Sequence, residues 1–231
     1  MDRIILSSGF LRKIMNFNEW ERIENKFADV QQYYYPELSK ISQIGAREII
    51  QDIKQNRFFN MFVKTMNDLN EDELFFSFIH GKEHIYRVCI LAFFISLREE
   101  QPGGLIKDVL EVAKYHDIGR IDDTEDAFHG KRGAYILAKR RLFSDAAVLQ
   151  KYQAVISAHS LPDDQFNKEW KFWGNKDQDK PTGSRILNIL KDADALDRFR
   201  LSDFSLETRY LRENLSIHMI KGAYELYHLF H

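Results

Sequence analysis

Apolar residues recur along this chain at intervals of three and four positions rather than in strict alternation with polar ones. Spacing of three and four is typical of amphipathic α-helices, whereas alternation would indicate half-buried strands. Only 4 Pro and 11 Gly interrupt the periodic segments, and neither an internal repeat nor a linker divides them. The pattern therefore predicts an all-α fold in a single domain over residues 1–231.

The predicted helices divide this domain into an N-terminal extension (1–70), a central core (71–200) and C-terminal helices (201–231). The extension, predicted to hold helices over 18–32 and 37–54 and an aromatic piece near residues 58–62, is interpreted as a cap or a dimer surface. In the core, helices are predicted over the ranges 82–98, 105–117, 130–142, 144–159 and 182–198. Residues 121–126 form an acidic loop.

An aromatic-rich segment over residues 166–173 lies between Pro162 and Pro181 and shows neither helical nor strand periodicity throughout. We interpret it as an excursion over the surface that Pro181 closes. Its aromatic side chains either anchor the segment to the protein body or form a lid that stacks on a flat ligand.

The balance of 33 basic and 35 acidic residues gives a net charge of -2, so no global field favours nucleic acid or an anionic membrane. An anionic ligand must therefore be held by a local cluster of Lys and Arg. No apolar run reaches the ~18 residues that a membrane span requires. We expect a soluble cytoplasmic protein, with a homo-oligomer left open. The single cysteine, Cys89, lies in an apolar run and is expected to be buried.

Histidines cluster in the central part of the chain. Five of the 8 lie there, at or near predicted helix ends or on apolar helices: His80, His84, His116, His129 and His159. His116 and Asp117 are adjacent at the end of an apolar helix, and Gly119 is expected to turn the backbone away after them. Together with the carboxylates of residues 192–197, these side chains supply the nitrogen and oxygen ligands that a borderline divalent metal accepts.

Three phrases of the sequence together resemble the HD-domain superfamily of metal-dependent phosphohydrolases. They are His84-Ile85-Tyr86-Arg87-Val88, His116-Asp117-Ile118-Gly119-Arg120 and Lys191-Asp192-Ala193-Asp194-Ala195-Leu196-Asp197. The resemblance covers residues 78–200 and implies an HD-domain-like helical bundle around a metal, here with additional N-terminal helices. It also implies four metal ligands: His84, His116, Asp117 and an aspartate of the last phrase.

Three carboxylates compete for that last ligand position, because Asp192, Asp194 and Asp197 lie within two turns of one predicted helix. Asp194 shares a face with Leu187 and Leu190, which should point to the core, so we choose Asp194. Asp192 is expected to point away. Asp197 is expected to orient a ligand or to pair with Arg198.

The resemblance further implies a second ion, because His129 and His159 stand where two-ion enzymes of this superfamily place additional ligands. Asp117 would then bridge the ions, which together polarise a phosphoryl oxygen and lower the pKa of a bound water. A capping or surface role for His129 remains the alternative. The cofactor is thus predicted to be one or two divalent ions, with Mn, Mg, Fe, Co, Ni and Zn not distinguished.

Candidate catalytic side chains surround the predicted ligands. His80 lies four residues before His84 and resembles the general acid of HD-type cyclic-nucleotide phosphodiesterases, with a structural role as the alternative. It shares a face with His84 if the helix over 82–98 extends back through Gly81 and lies in a loop if Gly81 breaks the helix. Arg120 and Lys131, each within three residues of a predicted ligand, are candidates to stabilise charge that develops on a phosphate. Arg87 is expected to pair with a carboxylate beside the metal.

These residues predict a metal-dependent phosphohydrolase that acts on a phosphomonoester or a phosphodiester through metal-activated water. The expected partner is a small phosphorylated substrate, with a nucleotide as one candidate. Two alternatives remain: an HD-type di-iron oxygenase, which would use the additional histidines to activate dioxygen, and a catalytically silent nucleotide-sensing domain.

Overall fold

A computed structural model describes residues 20–230, which form helices joined by loops and short 3-10 turns and contain no strand. The all-α prediction is confirmed for this part of the chain. None of the helices in this range combines the length and the apolar character needed to cross a bilayer. The start of the first predicted helix, at residue 18, lies outside the described residues.

The helices are numbered here in chain order. They are α1 (Trp20–Tyr34), α2 (Ala46–Gln55), α3 (Phe59–Asn67), α4 (Lys82–Arg98), α5 (Gly103–Tyr115), α6 (His129–Lys139), α7 (Ala146–His159), α8 (Phe166–Phe172), α9 (Lys180–Leu196) and α10 (Ile220–Phe230). Among the predicted helices, 82–98 matches α4 at both ends. A 3-10 turn, Asp197–Arg200, directly follows α9.

Helix α4 lies at the centre of the molecule. Its residues 84–96 are all buried, as expected for a helix that is apolar around its whole circumference. It packs against α5 and α9 and also contacts α2 and α10. The buried hydrophobic side chains form one cluster that extends from Ile23 in α1 to Phe230 in α10. The first turn of α4 carries His84, so the centre of the core leads directly to the predicted metal ligands.

The predicted helix over residues 37–54 is wrong in its first half. A 3-10 turn spans Pro36–Lys40, and α2 begins only at Ala46, after Gly45 in an extended conformation. The start of α2 is set by a distant residue: the Ala46 amide donates a 2.7 Å hydrogen bond to the carboxylate of Glu225 in α10. A carboxylate at a helix N-terminus accepts an otherwise unpaired amide and complements the helix dipole.

The prediction of an irregular excursion over residues 166–173 is also wrong, because most of that segment forms α8. Trp170 is fully buried, and a Cβ atom on Gly183 would lie only 2.2 Å from its Cζ3 atom. Phe166 is buried as well, so these aromatic side chains anchor the segment to the body. Pro181 does not close the segment but lies in the first turn of α9, where its missing N–H leaves no hydrogen bond unmade.

Candidate metal centre

The structure brings all six predicted metal ligands together at one end of the buried helices. The first turn of α4 and the turn after α5 supply three of them, the start of α6 and the end of α7 one each, and the last turn of α9 the sixth. Five are buried, and the side chain of the sixth, Asp194, is 30% exposed. The set is His84, His116, Asp117, His129, His159 and Asp194.

Asp117 occupies the middle of this cluster. Its Oδ2 atom lies 3.5 Å from His84 Nε2 and 3.7 Å from His116 Nε2. Its Oδ1 atom lies 3.0 Å from His129 Nε2 and 3.6 Å from His159 Nε2. The two oxygens of one carboxylate therefore face two adjoining pairs of imidazoles, and the ligand atoms of His116, Asp117 and His159 also lie within 4.8 Å of one another.

Asp194 adds a second carboxylate to one of these pairs, because its Oδ1 atom lies 3.5 Å from His84 Nε2. We call His84, His116 and Asp194 the first ligand group, and their ligand atoms all lie within 4.8 Å of one another. His129 and His159 are the second ligand group. Asp117 lies between the groups and contacts both.

The outer nitrogen of each imidazole fixes its tautomer. Every Nδ1 atom faces an oxygen that can only accept, so each Nδ1 carries the proton and each Nε2 keeps its lone pair for the cluster. The acceptors are Asp197 Oδ2 for His84 at 2.8 Å, Ala113 O for His116 at 2.8 Å, Asp126 O for His129 at 2.5 Å and Ile156 O for His159 at 2.6 Å.

The lone pairs consequently point at one another. His84 Nε2 lies 3.1 Å from His116 Nε2, and His129 Nε2 lies 2.9 Å from His159 Nε2. Burial lowers the pKa of His116 to about 3 and also lowers the pKa of His159, so one ring of each pair stays neutral at pH 7. Four Nε2 nitrogens and the carboxylates thus converge on the cluster, an arrangement that suits a cation within each group.

The charge and spacing of the cluster fit divalent ions. The Asp117 carboxylate brings negative charge to the middle of the cluster, beside both pairs of imidazoles. Ligands at about 2.1 Å from a metal are separated by roughly 3.0 Å in octahedral and about 3.4 Å in tetrahedral geometry. The observed separations, from 2.9 Å between His129 and His159 to 3.7 Å between His116 and Asp117, bracket these values.

Imidazole nitrogens combined with carboxylate oxygens suit zinc, iron, manganese, cobalt and nickel. No family model, curated protein or solved structure matches this chain. The chemistry of the cluster is therefore inferred from its own side chains and from the groups that hold them in place.

Asp197 positions His84 from behind. The Asp197 carboxylate is fully buried and accepts hydrogen bonds from Arg87 Nε at 2.6 Å and Arg87 Nη2 at 3.0 Å, as well as from His84 Nδ1. Burial would raise the pKa of Asp197, but Arg87 and His84 hold it below its ordinary value. Asp192 instead accepts the backbone amides of Arg212 and Glu213 and so organises the loop after α9. The three aspartates of this helix end thus face three different partners.

Asp197→Asn is expected to lower the unfolding free energy of the metal-free protein by about 3 kcal/mol, because it leaves the buried charge of Arg87 without a counter-ion. It should also weaken metal affinity about 10- to 100-fold, since His84 loses its orienting carboxylate. Urea unfolding in chelator and metal titration measure the two effects. Asp179→Asn, at the exposed start of α9, should change neither; unaltered metal affinity in Asp197→Asn would contradict the positioning role.

His80 lies in the loop before α4 and not on the helix. Gly81 is extended and α4 begins at Lys82, so the helix does not continue back to His80. The buried His80 ring donates from Nδ1 to Asp123 Oδ1 at 2.9 Å, and its centroid lies 5.9 Å from that of His84. Burial lowers the pKa of His80, and the bond to Asp123 opposes that shift. The ring is therefore held beside the cluster, and its role as a general acid stays a prediction.

The two predicted phosphate-stabilising cations have different positions. Arg120 reaches the cluster, with Nε 3.1 Å from Asp117 Oδ2. Lys131 instead pairs with Glu169 Oε1 at 3.4 Å and covers the Phe172 ring, and none of its contacts among the described residues involves the ligands. The reason is helix geometry: two positions after His129, a side chain projects from the far side of α6.

Arg200 is a cluster residue that sequence reasoning missed. It ends the 3-10 turn after α9, and its Nη2 atom lies 3.4 Å from Asp194 Oδ1. In a 3-10 turn, residues three positions apart lie on the same face, so Arg200 lies on the face of Asp197. This spacing is the sequence signal for Arg200, but it indicates a role at the cluster only when the structure shows that Asp194 and Asp197 face the ligands.

Gly119 lies in a turn, as expected, which the Arg120 amide closes by donating a 3.0 Å hydrogen bond to the Asp117 carbonyl; it also allows two parts of the centre to meet. Its φ is not in the left-handed region. A Cβ atom on Gly119 would lie 2.1 Å from the His129 carbonyl oxygen and 2.3 Å from the Gly133 amide nitrogen. The chain after Asp117 therefore runs against the first turn of α6, which is how His129 comes within reach of Asp117.

Proposed function

We propose that this chain is an HD-type metal-dependent phosphohydrolase, which hydrolyses a phosphomonoester or phosphodiester bond with metal-activated water. The observation that carries the proposal is the convergence of four imidazole Nε2 atoms, two beside each oxygen of the Asp117 carboxylate. Divalent ions bound there supply polarisation of a phosphoryl oxygen and a lowered pKa for water.

The chain's own residues supply binding and proton transfer. Asp194 is the only ligand with substantial exposure, which supports approach of the substrate from its side of the cluster. Asp123 accepts from His80 Nδ1 and favours the imidazolium form against the effect of burial; in that form Nε2 carries the proton that a leaving oxygen requires. Arg120, bonded to Asp117, brings a positive charge beside the reacting phosphate. A small phosphorylated molecule, with a nucleotide as one candidate, suits this arrangement.

The direct test starts from chelator-treated protein reloaded separately with Mn, Mg, Fe(II), Co, Ni or Zn. Elemental analysis measures the metal bound per chain. Hydrolysis is followed with p-nitrophenyl phosphate, bis-p-nitrophenyl phosphate and a panel of nucleotides. We expect up to two ions per chain and hydrolysis only in reloaded samples. A fully loaded protein that releases no phosphate and cleaves no diester across this panel would refute the proposal.

The second ligand group also supports a second candidate, a di-iron oxygenase, because two further imidazoles beside a shared carboxylate suit a pair of iron ions. Anaerobic loading with Fe(II), followed by exposure to oxygen and paramagnetic resonance spectroscopy, separates the candidates. Protein that retains no iron under these conditions but hydrolyses phosphate esters with another metal excludes the oxygenase.

A further inference from the structure

Two arginine side chains are buried beside the candidate metal centre, and they differ in how well their guanidinium groups are hydrogen-bonded. Arg87 is 1% exposed and makes a two-point contact with Asp197 at 2.6 and 3.0 Å. The Arg200 side chain is 6% exposed, yet its Nη atoms lie 3.4 Å from Asp194 Oδ1, 3.5 Å from Asp194 O and 3.9 Å from Asp197 Oδ2. Its Nε atom has no hydrogen-bond partner among the described residues.

These contacts leave Arg200 poorly satisfied. Hydrogen bonds from N–H to oxygen are ordinarily about 2.7–3.2 Å long, so every contact of Arg200 is longer than a normal one. A guanidinium carries five N–H donors, and burying it without well-placed acceptors is unfavourable. Arg87 shows that this same region of the fold can give a buried guanidinium two hydrogen bonds of normal length, to Asp197. The N–H groups of Arg200 therefore lack close acceptors because of where this side chain lies, and not because the region has none.

The nearby carboxylates are committed elsewhere. Asp197 is held by Arg87 and His84, and Asp194 Oδ1 also faces His84 Nε2 in the first ligand group. A metal bound to that group would draw on the charge of Asp194 and leave Arg200 with less compensation. The partly exposed side chain of Asp194 lies next to the guanidinium, so a ligand that reaches the first group also reaches Arg200.

A second guanidinium, that of Arg120, lies beside the same ligand group. The His80 ring also lies beside this group, with its centroid 5.9 Å from that of His84. Arg120 contacts Asp117 Oδ2, the oxygen that faces the first ligand group. The surroundings of this group therefore combine two positive side chains with a ring capable of carrying a proton, and this set matches a tetrahedral oxyanion.

We propose that Arg200 binds the non-bridging oxygens of a phosphate group, donating through the N–H groups that have no normal partner in the protein. The planar fork of arginine matches two phosphate oxygens at once, which a lysine ammonium cannot do. The inference rests on the proposed function and extends it, because it assigns the recognition of the phosphate group to a residue outside the metal ligands.

The test measures binding of inorganic phosphate by isothermal titration calorimetry to protein loaded with the metal that it retains. Arg200→Gln is expected to weaken phosphate binding about 10- to 100-fold while metal content stays unchanged. Arg200→Lys should recover part of the affinity, because it restores the charge without the fork. Arg198→Gln is the matched control: Arg198 is exposed and donates to Ser205 O, so its replacement should leave phosphate binding unchanged.

Wild-type phosphate affinity in Arg200→Gln would overturn the proposal, as would the absence of phosphate binding to the metal-loaded wild-type protein. Parallel losses of metal and phosphate would overturn it too, since Arg200 would then only position Asp194. If Arg200→Gln does not fold, Arg200→Lys decides: full wild-type affinity contradicts recognition by the fork, and reduced affinity at unchanged metal content supports it. A wild-type protein that binds phosphate but hydrolyses none of the substrates would refute the hydrolase proposal, and the assignment of phosphate binding to Arg200 would still hold.

Discussion

Asp117→Asn is expected to remove metal from both ligand groups together and to lower hydrolysis about 10³-fold or more. Asn keeps the shape of the side chain but loses the charge that both imidazole pairs face, at 3.0 Å for His129 and 3.5 Å for His84. Metal ions contribute several kcal/mol of transition-state stabilisation, and each 1.36 kcal/mol is about tenfold in rate. Elemental analysis and the hydrolysis rate, measured on the same preparation, test the prediction.

Thermal unfolding gives a second measurement of the same change. Saturating metal should stabilise the wild-type protein, by about 2.7 kcal/mol when free metal is 100-fold above the dissociation constant, and Asp117→Asn should lose this increment. Asp122→Asn is the matched control, because Asp122 is an exposed carboxylate that caps Thr124 in the nearby loop. If Asp117→Asn keeps metal in both groups, Asp117 is not the shared ligand.

Gly119→Ala is expected to lower the unfolding free energy of the metal-free protein by about 2–4 kcal/mol. Its added methyl would meet backbone atoms at 2.1 and 2.3 Å, and backbone cannot move aside as the end of a side chain can. The first turn of α6 would have to shift, and His129 with it. We therefore also expect metal affinity to fall mainly in the second ligand group. Urea unfolding in chelator, followed by metal titration of the folded protein, measures both effects.

Gly104→Ala is the control for this change, because nothing lies within 4 Å of the added Cβ and the residue is in the first turn of α5. It should be neutral or stabilise the protein slightly, by up to about 1 kcal/mol, since alanine favours the helix. Wild-type stability in Gly119→Ala would show that α6 does not need its close approach to the chain after Asp117.

Local pattern was sufficient where a helix is continuous and apolar. Residues 82–98 contain no Gly or Pro and carry a long apolar run, so the local sequence alone located α4. Local pattern gave wrong predictions where a distant residue decides where a helix begins or lies. The start of α2 depends on Glu225, 179 positions away, and α8 owes its place to Trp170 packing on Gly183. Neither contact can be predicted from the local spacing of apolar residues.

The sequence by itself determined an all-α fold and singled out six candidate ligands, through residue type, spacing and resemblance. Only the tertiary structure decided which oxygen of Asp117 faces which imidazole pair, and that all four Nδ1 atoms have acceptors behind them. It also separated Arg120 from Lys131 and brought Arg200 to Asp194. The physical reason is that a side chain's direction and hydrogen-bond partners depend on how distant helices pack, whereas helix formation and ligand chemistry depend on the residues themselves.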